Sequence, residues 1–369
     1  MRVAIVSEFY PRAHDPVLGI WAHRQAIAAR DAGADVRVLV PQRPLPARAE
    51  TRKLQALTTE LRHPRRSLLD GIEVRYVPFV APPRWRSYDS WGAWAAPSLA
   101  LALRRLRREW PFDLVHAHNA VPAGDAVRRA RLELPLVVSV HGGDVFWTAP
   151  RFGDATVRRT FEAASLVIAN SAGIEQRTRE LGAARTRVVH LGTDVPAEVR
   201  CDEPRTVVTV SHLIERKRHE DVLRALPGDC RYLIIGDGPE RSRLEQLTAE
   251  LGVDADFTGQ LAHAEALRRA RRCAVFAMPS TREAFGVAYV EAMAAALPAI
   301  GRRGEPGPEE IAALGPGMLL SDGDDLGAVL ADALERRVEL GAQARALTER
   351  HFTWDACGAA TIDAYASVL

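Results

Sequence analysis

Two glutamates, Glu283 and Glu291, enclose seven residues in a segment that follows the predicted end of a buried strand. A helix is predicted to begin near Gly286, which leaves the backbone N–H groups of Phe285, Gly286 and Val287 unpaired at its N-terminus. Such amides, together with the positive end of the helix dipole, form an anion site suited to a diphosphate. Glu291, two turns into the helix, could accept hydrogen bonds from both hydroxyls of a ribose. The alternative is that Glu283 caps the helix and Glu291 is solvated.

The segment from Ser211 to Arg218, which ends in three basic residues, forms a second candidate site. A cation at Lys217 would offset the charge that develops on a departing diphosphate. His212 is a weaker cation, because imidazole is at most partly charged near pH 7 and lacks the planar fork of arginine. His212 could donate one hydrogen bond, or Arg216 or Arg218 could take its place. For the two arginines we favour the alternative of a solvated helix start.

Histidines end two of the predicted strands in the first half of the chain. His116 and His118 would share one face of a strand, because side chains alternate along it. His118 lies at the carboxyl end, where open parallel sheets bind ligands. We therefore predict that His118 belongs to the site and that His116 is packed. His141 and Asp144, at the next strand end, are weaker candidates for contact with substrate.

Near-continuous apolar runs alternate with helical segments, as expected for parallel strands that are buried on both faces. In the first half we predict strands at Val3–Val6, Val36–Val40, Val74–Val80, Leu114–His116, Leu136–Val140, Leu166–Ala169 and Val188–His190. After a linker at residues 191–204 the pattern restarts, with strands at Val207–Val210, Tyr232–Ile235, Ala255–Phe257, Ala274–Ala277 and Pro298–Ile300, followed only by helices. The predicted fold class is α/β, with two doubly wound, Rossmann-like domains that face each other across a cleft.

The segment from Arg84 to Trp110 is rich in tryptophan and arginine. We expect Pro97 to open a helix here, with one apolar face made by Leu99, Leu103, Leu106 and Trp110. An amphipathic helix packed on its sheet, with a solvated arginine face, is the favoured interpretation. A membrane-surface or acceptor-binding helix is the alternative.

Composition narrows the function classes. The 369 residues include 49 basic and 47 acidic side chains, a net charge of +2, which gives no reason to expect a nucleic-acid partner. The four cysteines are scattered, as is typical of a reducing compartment, and the N-terminus has the pattern of a strand. No apolar run approaches the ~20 residues that span a bilayer. We expect a cytoplasmic protein and leave open both a peripheral membrane contact and the oligomeric state.

The segment STREAFGVAYVEAMA, from Ser280 to Ala294, closely resembles the signature of the retaining glycosyltransferases of family 4, which have the GT-B fold. The family has the same two glutamates around seven residues, with Phe-Gly inside and Glu-Ala-Met-Ala after. The resemblance implies that Glu283 contacts the transferred sugar and Glu291 the donor ribose. It also implies that Lys217 and the residue at position 212, normally arginine, hold the diphosphate.

Further segments extend the resemblance over most of the chain. It identifies His118 as the catalytic-site histidine of the family. The loop Gly236-Asp237-Gly238 looks like a strand-loop-helix element of the family, which makes Gly238 a weaker candidate, and the alternative is a plain tight turn. The family often has two glycines before the first helix, where loop amides meet the diphosphate. Here Leu18 replaces the first, and only Gly19 remains.

Three segments are predicted on this basis. Residues 1–195 would form an acceptor-side Rossmann-like domain, and residues 205–350 a nucleotide-sugar-binding Rossmann-like domain. Residues 351–369 would form a C-terminal helix, because Phe352-Thr353-Trp354 looks like the segment that precedes the family's helix crossing back to the N-terminal domain.

The resemblance implies a metal-independent, retaining glycosyltransferase that moves a hexose-type sugar from a nucleotide-diphosphate sugar to an acceptor hydroxyl. The nucleotide sugar is the co-substrate, the class of acceptor is open, and we expect no cofactor and no metal. Two other functions stay open. One is a non-hydrolysing nucleotide-sugar epimerase, which uses the same fold, and the other is a protein that binds nucleotide sugars without catalysis.

Overall fold

A computed structural model describes residues 1–15, 17–44 and 63–369 of the chain. The described residues form two compact units. Unit 1 comprises Met1–Leu191 together with Trp354–Leu369, and unit 2 comprises Gly192–Thr353. Each unit is built on one open sheet with helices between successive strands, so both are Rossmann-like and together give the GT-B architecture.

The sheet of unit 1 has the strand order β3-β4-β2-β1-β5-β6-β7-β8, and its strands are parallel except β3, which pairs antiparallel with β4. The strands are β1 Arg2–Ser7, β2 Asp35–Gln42, β3 Arg66–Leu69, β4 Ile72–Pro78, β5 Leu114–His118, β6 Leu136–Val140, β7 Leu166–Ala169 and β8 Thr186–Val188. The sequence analysis missed β3, because this short edge strand is largely exposed and lacks the apolar run of a buried strand.

The helices of unit 1 lie between these strands and at the end of the chain. They are α1 Ile20–Asp31, α2 Arg84–Ser87, α3 Trp91–Glu109, α4 Asp125–Ala130, α5 Ala149–Phe152, α6 Ala155–Ala163, α7 Ala172–Glu180 and, from the C-terminal segment, α15 Trp354–Ala366. Short helical turns occur at Tyr88–Ser90, Ala120–Gly124 and Asp144–Thr148.

The sheet of unit 2 is parallel throughout, with the order β11-β10-β9-β12-β13-β14. Its strands are β9 Glu203–Val210, β10 Arg231–Ile235, β11 Ala255–Gly259, β12 Cys273–Ala277, β13 Ala299–Arg302 and β14 Met318–Ser321. The expectation that only helices follow the strand at Pro298–Ile300 is wrong, since β14 pairs with β13. A four-residue strand that follows two glycines is too short to show a strand period.

The helices of unit 2 are α8 His219–Ala225, α9 Arg241–Leu251, α10 His263–Ala270, α11 Val287–Ala294, α12 Pro306–Ala313, α13 Leu326–Glu335 and α14 Arg337–His351, with a short turn at Glu215–Lys217. Both faces of the sheet are covered. Val208 and Leu233 pack into one apolar cluster, whereas their neighbours Val207 and Tyr232 pack into another. This double burial is the reason why the strands read as continuous apolar runs.

Helix α3 differs from the prediction in its start. It begins at Trp91, and Pro97 lies inside the helix. The apolar face is as predicted: Leu99, Leu103 and Leu106 are fully buried. The favoured interpretation of a helix packed on its sheet is therefore confirmed for this face. No helix in the described part of the chain has the length and apolar character needed to span a bilayer.

The C-terminal helix α15 packs on α1 within unit 1. Gly358 makes this contact close, since a Cβ there would lie 2.3 Å from the carbonyl oxygen of Ala28. Gln25 also donates a hydrogen bond to Thr361 across the two helices. His116 of β5 thus belongs to the same core as α15, because the fully buried Tyr365 places its hydroxyl 2.7 Å from Nδ1 of His116.

Candidate active site

Each sheet has one point at which the strand order reverses: between β1 and β5 in unit 1, and between β9 and β12 in unit 2. Open parallel sheets bind ligands at the carboxyl ends of the strands beside such a point. In unit 1 those ends carry Glu8 and His118, and in unit 2 they carry Ser211 and Ser280. The candidate residues therefore form one group in each unit.

In unit 2, Lys217 and Glu283 are 66 positions apart in sequence and form a buried ion pair. The ammonium of Lys217 donates a hydrogen bond of 2.6 Å to Oε2 of Glu283, and it lies 3.5 Å from the sulfur of Met278. Burial lowers the pKa of Lys217, and the neighbouring carboxylate of Glu283 opposes that effect. The structure thus brings together Lys217, which the resemblance assigns to the diphosphate, and Glu283, which it assigns to the transferred sugar.

The carboxylate of Glu283 is held firmly in place. Ser280 donates to its Oε2 atom across 2.9 Å, and the backbone N–H of Glu283 donates to Glu305 across 2.9 Å. Ser280 in turn lies 3.3 Å from the hydroxyl of Tyr289, a fully buried side chain of α11. The carboxylate of Glu283 therefore accepts from Lys217 and Ser280, while Glu305 fixes its backbone.

Arg216 meets our expectation of a solvated side chain only in part, since 37% of its side chain is exposed. Its Nη1 atom is 3.5 Å from Oε2 of Glu283, and this nitrogen is buried with no hydrogen-bond partner in the described chain. Its carbonyl accepts a hydrogen bond from Thr281, so the basic turn is tied to the loop before α11. The sequence could not show this contact with Glu283, because it depends on the meeting of two loops that are distant in sequence.

The other two candidates in the basic run do not join this pair. Arg218 makes two hydrogen bonds to the carboxylate of Asp221, at 2.9 and 2.8 Å, which stabilises the start of α8. The side chain of His212 is exposed. Arg216 is therefore better placed than either residue to act beside Lys217.

Helix α11 begins as the sequence predicts. Gly286 precedes its first residue, Val287, and adopts a left-handed conformation with φ of 85°. A Cβ at Gly286 would also lie 2.3 Å from the ring of Tyr289, so only glycine fits here. Phe285 is buried, with its ring 5.4 Å from that of Phe352. The helix N-terminus thus lies close to Glu283 in the chain, with Gly286 directly before the first helical residue.

Glu291 lies on α11 with its side chain only 15% exposed. Its Oε1 atom is 3.2 Å from Nε2 of His263, the first residue of α10. The alternative of a solvated Glu291 is therefore wrong. The sequence analysis did not identify His263, although its place directly after the loop that follows β11 was a usable signal.

The Gly236-Asp237-Gly238 loop interlocks with the loop that follows β9. A Cβ at Gly238 would lie 2.3 Å from the carbonyl oxygen of Leu213, and the backbone N–H of Leu213 donates to Asp237. Glycine is needed at 238 for this close approach between two loops. Its contribution to the site is thus to hold the loop that carries His212.

In unit 1, His118 and His141 form a hydrogen-bonded pair. Nδ1 of His118 is 3.0 Å from Nε2 of His141. Burial is the main cause that holds the pKa of His118 well below its ordinary value and lowers that of His141 to about 4. His116 is packed as predicted, with its two nitrogens 2.7 Å from the hydroxyls of Tyr365 and Ser139.

Two further candidates in unit 1, Asp144 and Gly19, have a clear role in backbone structure. Both carboxylate oxygens of Asp144 accept hydrogen bonds from the N–H groups of Ala120 and Val121, in the turn that follows His118. Burial raises the pKa of Asp144 to about 7. Gly19 caps α1 in a left-handed conformation, and a Cβ there would lie 2.0 Å from the carbonyl oxygen of Phe9.

Glu8 is a candidate that the sequence analysis missed. It follows β1 at the reversal point and is only 8% exposed. The hydroxyl of Tyr88 donates to its carboxylate across 2.7 Å. Burial raises the pKa of Glu8, against the opposing charge of Arg84. An acidic residue directly after a buried strand was the available signal.

Two Asp-x-Asp patterns occur in the sequence, at 254–256 and 322–324. Asp254 and Asp256 lie 3.8 and 3.1 Å from the guanidinium of Arg231, which neutralises part of their charge. Across residues 1–15, 17–44 and 63–369, no group of three or more His, Cys, Asp or Glu side chains is arranged to hold a metal ion. We therefore assign no metal-binding role to these aspartates.

Comparison with known proteins gives matches along nearly the whole chain. The family model described as Glycosyltransferase Family 4 matches residues 18–196, and the one described as Glycosyl transferases group 1 matches residues 194–351. The chain is 27% identical, over 306 residues, to the GDP-mannose-dependent alpha-(1-6)-phosphatidylinositol monomannoside mannosyltransferase of Mycobacterium tuberculosis. That match covers 72% of this chain and 79% of the mannosyltransferase.

Two solved structures are similar over their full length. The sucrose-phosphate synthase of Thermosynechococcus elongatus has a TM-score of 0.76 at 18% identity, covering 100% of this chain and 99% of the synthase. Anabaena HepE, solved in complex with UDP-glucose, has a TM-score of 0.71 at 20% identity and covers 100% of both chains. At these identities the likeness shows the fold.

Proposed function

Because this chain belongs to glycosyltransferase family 4, we propose that it moves a hexose-type sugar from a nucleotide-diphosphate sugar to an acceptor hydroxyl, with retention of configuration. The buried Lys217–Glu283 pair beside the N-terminus of α11 carries this proposal. It places a cation, a carboxylate and the positive end of a helix within one loop cluster. A sugar diphosphate can use all three. The cation and the helix N-terminus neutralise the charge of the phosphates, and the carboxylate accepts hydrogen bonds from the sugar.

The donor diphosphate would bind to the α11 N-terminus and to two cations, Lys217 and Arg216. The ammonium of Lys217 has three N–H donors, and the structure directs one of them to Glu283 and another towards the weakly accepting sulfur of Met278. Arg216 brings a buried guanidinium nitrogen to the same carboxylate. Lys217 matches the family's lysine, and Arg216 would take the role of the family's arginine, in whose place this chain has the exposed His212.

Glu283 and Glu291 would bind the two ends of the donor, the transferred sugar and the ribose. Glu283, fixed by Ser280 and Lys217, would accept hydrogen bonds from hydroxyls of the transferred sugar. Glu291, near the start of α10, would accept hydrogen bonds from the ribose hydroxyls. In this arrangement binding energy from both ends of the donor orients the anomeric carbon.

Retention would follow if the acceptor oxygen attacks the anomeric carbon on the same face from which the leaving group departs. The bond between the anomeric carbon and the phosphate oxygen breaks while the bond to the acceptor oxygen forms on the same face. The proton of the acceptor hydroxyl goes to the departing phosphate oxygen. Lys217 and Arg216 would stabilise the charge on the diphosphate, and His118 would hydrogen-bond substrate hydroxyls, so the scheme requires no metal.

The donor panel for a test comes from the relatives. The mycobacterial relative is GDP-mannose-dependent, and HepE was solved with UDP-glucose. Calorimetric titration with GDP-mannose, UDP-glucose, GDP and UDP would identify the donor. Product analysis by NMR with a panel of lipid-linked and free sugars as acceptors would then give the anomeric configuration, in buffer with and without EDTA.

The outcomes separate the alternatives. Formation of a glycoside with the donor's anomeric configuration, unaffected by EDTA, supports the proposal. A C2 epimer formed from the donor alone would show an epimerase. Donor binding without hydrolysis or transfer to any acceptor would show a binding protein. An inverted product or loss of activity in EDTA would contradict retention or metal independence.

We also propose that unit 1 contacts an anionic membrane surface from the cytoplasmic side. Trp85, Trp94 and Leu101 are 47%, 51% and 62% exposed, and the second half of α3 carries four exposed arginines, Arg104, Arg105, Arg107 and Arg108. Exposed tryptophan beside arginine is typical of interfacial helices. Co-sedimentation with vesicles of 30 mol% phosphatidylglycerol, absent with neutral vesicles and lost in Trp94→Ala, would support the contact. Equal recovery with both vesicle types would contradict it.

A further inference from the structure

His118 and His141 are joined by an unusually straight hydrogen bond. Their ring planes differ by 3°, their ring centroids are 5.3 Å apart, and Nδ1 of His118 is 3.0 Å from Nε2 of His141. Each nitrogen of an imidazole lies about 1.2 Å from the ring centre. A centroid separation of 5.3 Å is therefore what two coplanar rings need when they meet edge to edge along one N–H···N bond. The rings do not overlap face to face.

Both imidazoles are neutral, because burial holds the pKa of His118 well below its ordinary value and that of His141 at about 4. Each neutral ring carries one N–H. One of the two protons must lie in the shared hydrogen bond, since a bond between two bare nitrogens or two N–H groups is not possible. The outer nitrogens, Nε2 of His118 and Nδ1 of His141, then always comprise one donor and one acceptor.

Both outer nitrogens are buried, and each lacks a hydrogen-bond partner within the described ranges of the chain. Leaving a buried polar atom unpaired costs about 1–3 kcal/mol. His116 does not compete for either nitrogen, since its own nitrogens bond Tyr365 and Ser139. The pair is thus built to be completed by something that enters at the carboxyl ends of β5 and β6.

We propose that His141 is a positioning residue for His118, and that the pair binds substrate hydroxyls as one unit. His141 holds the plane of the His118 ring and takes or supplies the shared proton. Nε2 of His118 can therefore accept from, or donate to, a sugar hydroxyl while both rings stay neutral. This inference rests on the proposed function only for the nature of the ligand, a sugar hydroxyl. The pairing itself does not depend on it.

Two substitutions at position 141 separate positioning from packing. His141→Phe keeps a ring of similar size and removes both nitrogens, whereas His141→Gln keeps a neutral donor and acceptor near the place of Nε2. We expect kcat of sugar transfer to fall at least 10-fold in His141→Phe and to stay within about 3-fold of wild type in His141→Gln. The free nucleoside diphosphate has no transferred sugar for the pair to contact, so its Kd in both variants should equal that of wild type. The exposed His351→Phe is the matched control.

Nitrogen NMR of histidine-labelled protein provides the independent test. We expect one protonated and one unprotonated nitrogen in each ring, scalar coupling across the His118–His141 bond, and a changed His118 Nδ1 signal in His141→Phe. Unchanged kcat in folded His141→Phe, equal losses in both variants, or absence of the coupling would overturn the proposal. Failure to bind any nucleotide sugar in calorimetry would contradict the proposed function instead. The scalar coupling would still show whether His118 and His141 are hydrogen-bonded.

Discussion

Lys217 and Glu283 meet across 2.6 Å in a buried ion pair, and Arg216 approaches the same carboxylate oxygen from 3.5 Å. Two cations therefore face this carboxylate, and a second carboxylate, that of Glu305, accepts a hydrogen bond from the backbone N–H of Glu283. The desolvation of a buried ion pair opposes folding unless the pair gains further interactions. A bound diphosphate would supply such interactions to Lys217 and Arg216.

Lys217→Ala should lower kcat by at least 100-fold, because the departing diphosphate loses a buried cation. Steady-state kinetics with the donor identified by calorimetry would measure it. Arg218→Ala is the matched control, since Arg218 bonds Asp221, and it should keep activity within about 3-fold. Undiminished kcat in the Lys217 variant would refute its role.

Arg216→Ala should weaken donor binding about 10-fold or more, whereas His212→Ala should change it less than 3-fold. The reason is that Arg216 brings a buried nitrogen to Glu283 while the imidazole of His212 is exposed. Titration calorimetry with the free nucleoside diphosphate isolates this effect. A larger loss in His212→Ala than in Arg216→Ala would return the phosphate-binding role to position 212.

Glu291→Ala should raise the Kd of the donor about 10- to 100-fold and leave kcat at saturating donor within about 3-fold. Loss of a carboxylate that accepts from ribose hydroxyls removes binding common to ground and transition states. Comparison of a ribose with a 2′-deoxyribose nucleotide is the check, because the variant should no longer distinguish them. Glu250→Ala, which removes an exposed glutamate of α9, is the control. Retained discrimination by Glu291→Ala would contradict the ribose contact.

The buried histidine of unit 2 should make stability depend on pH. Burial lowers the pKa of His219 to about 4, and its ring bonds the hydroxyls of Ser211 and Tyr232 at 2.9 Å. Between its folded pKa and the ordinary value of 6.5, the unfolded state binds more protons, so the free energy of unfolding falls as the pH falls. Relative to His219→Gln, wild type should lose about 2 kcal/mol between pH 7 and pH 5.

Urea unfolding of the two proteins at constant ionic strength would measure that difference. Using the difference removes the contribution of Asp144, whose raised pKa acts with the opposite sign over the same range. Parallel pH profiles for wild type and His219→Gln would show that His219 is not held neutral by burial.

Gly19→Ala should destabilise the protein by about 2–4 kcal/mol, because a left-handed φ of 64° and a carbonyl oxygen 2.0 Å from the new Cβ both penalise it. Gly143→Ala, whose Cβ would meet nothing within 4 Å, should change stability by less than about 0.5 kcal/mol. Denaturant unfolding would compare them. Equal free energies of unfolding for the two variants would mean that the loop at Gly19 can rearrange to accept a Cβ without loss of stability.

Local pattern was enough to predict much of this protein. Buried parallel strands need apolar residues on both faces, so the sheets could be read from continuous runs such as those at Val3 and Val207. The segment between Glu283 and Glu291 showed a helix start, which the structure places at Val287. Strands β3 and β14 were missed because each has only four residues and no burial pattern that distinguishes it from a loop.

The sequence by itself determined the two Rossmann-like domains, the family, and the side chains offered at the strand ends, because these depend on residue type and on periods of a few residues. Only the tertiary structure decided which of them meet. Arg216 reaches the carboxylate of Glu283, His141 lies in the plane of His118, and Tyr88 donates a hydrogen bond to Glu8. Such contacts join positions far apart in the chain, and strand order and loop packing set them.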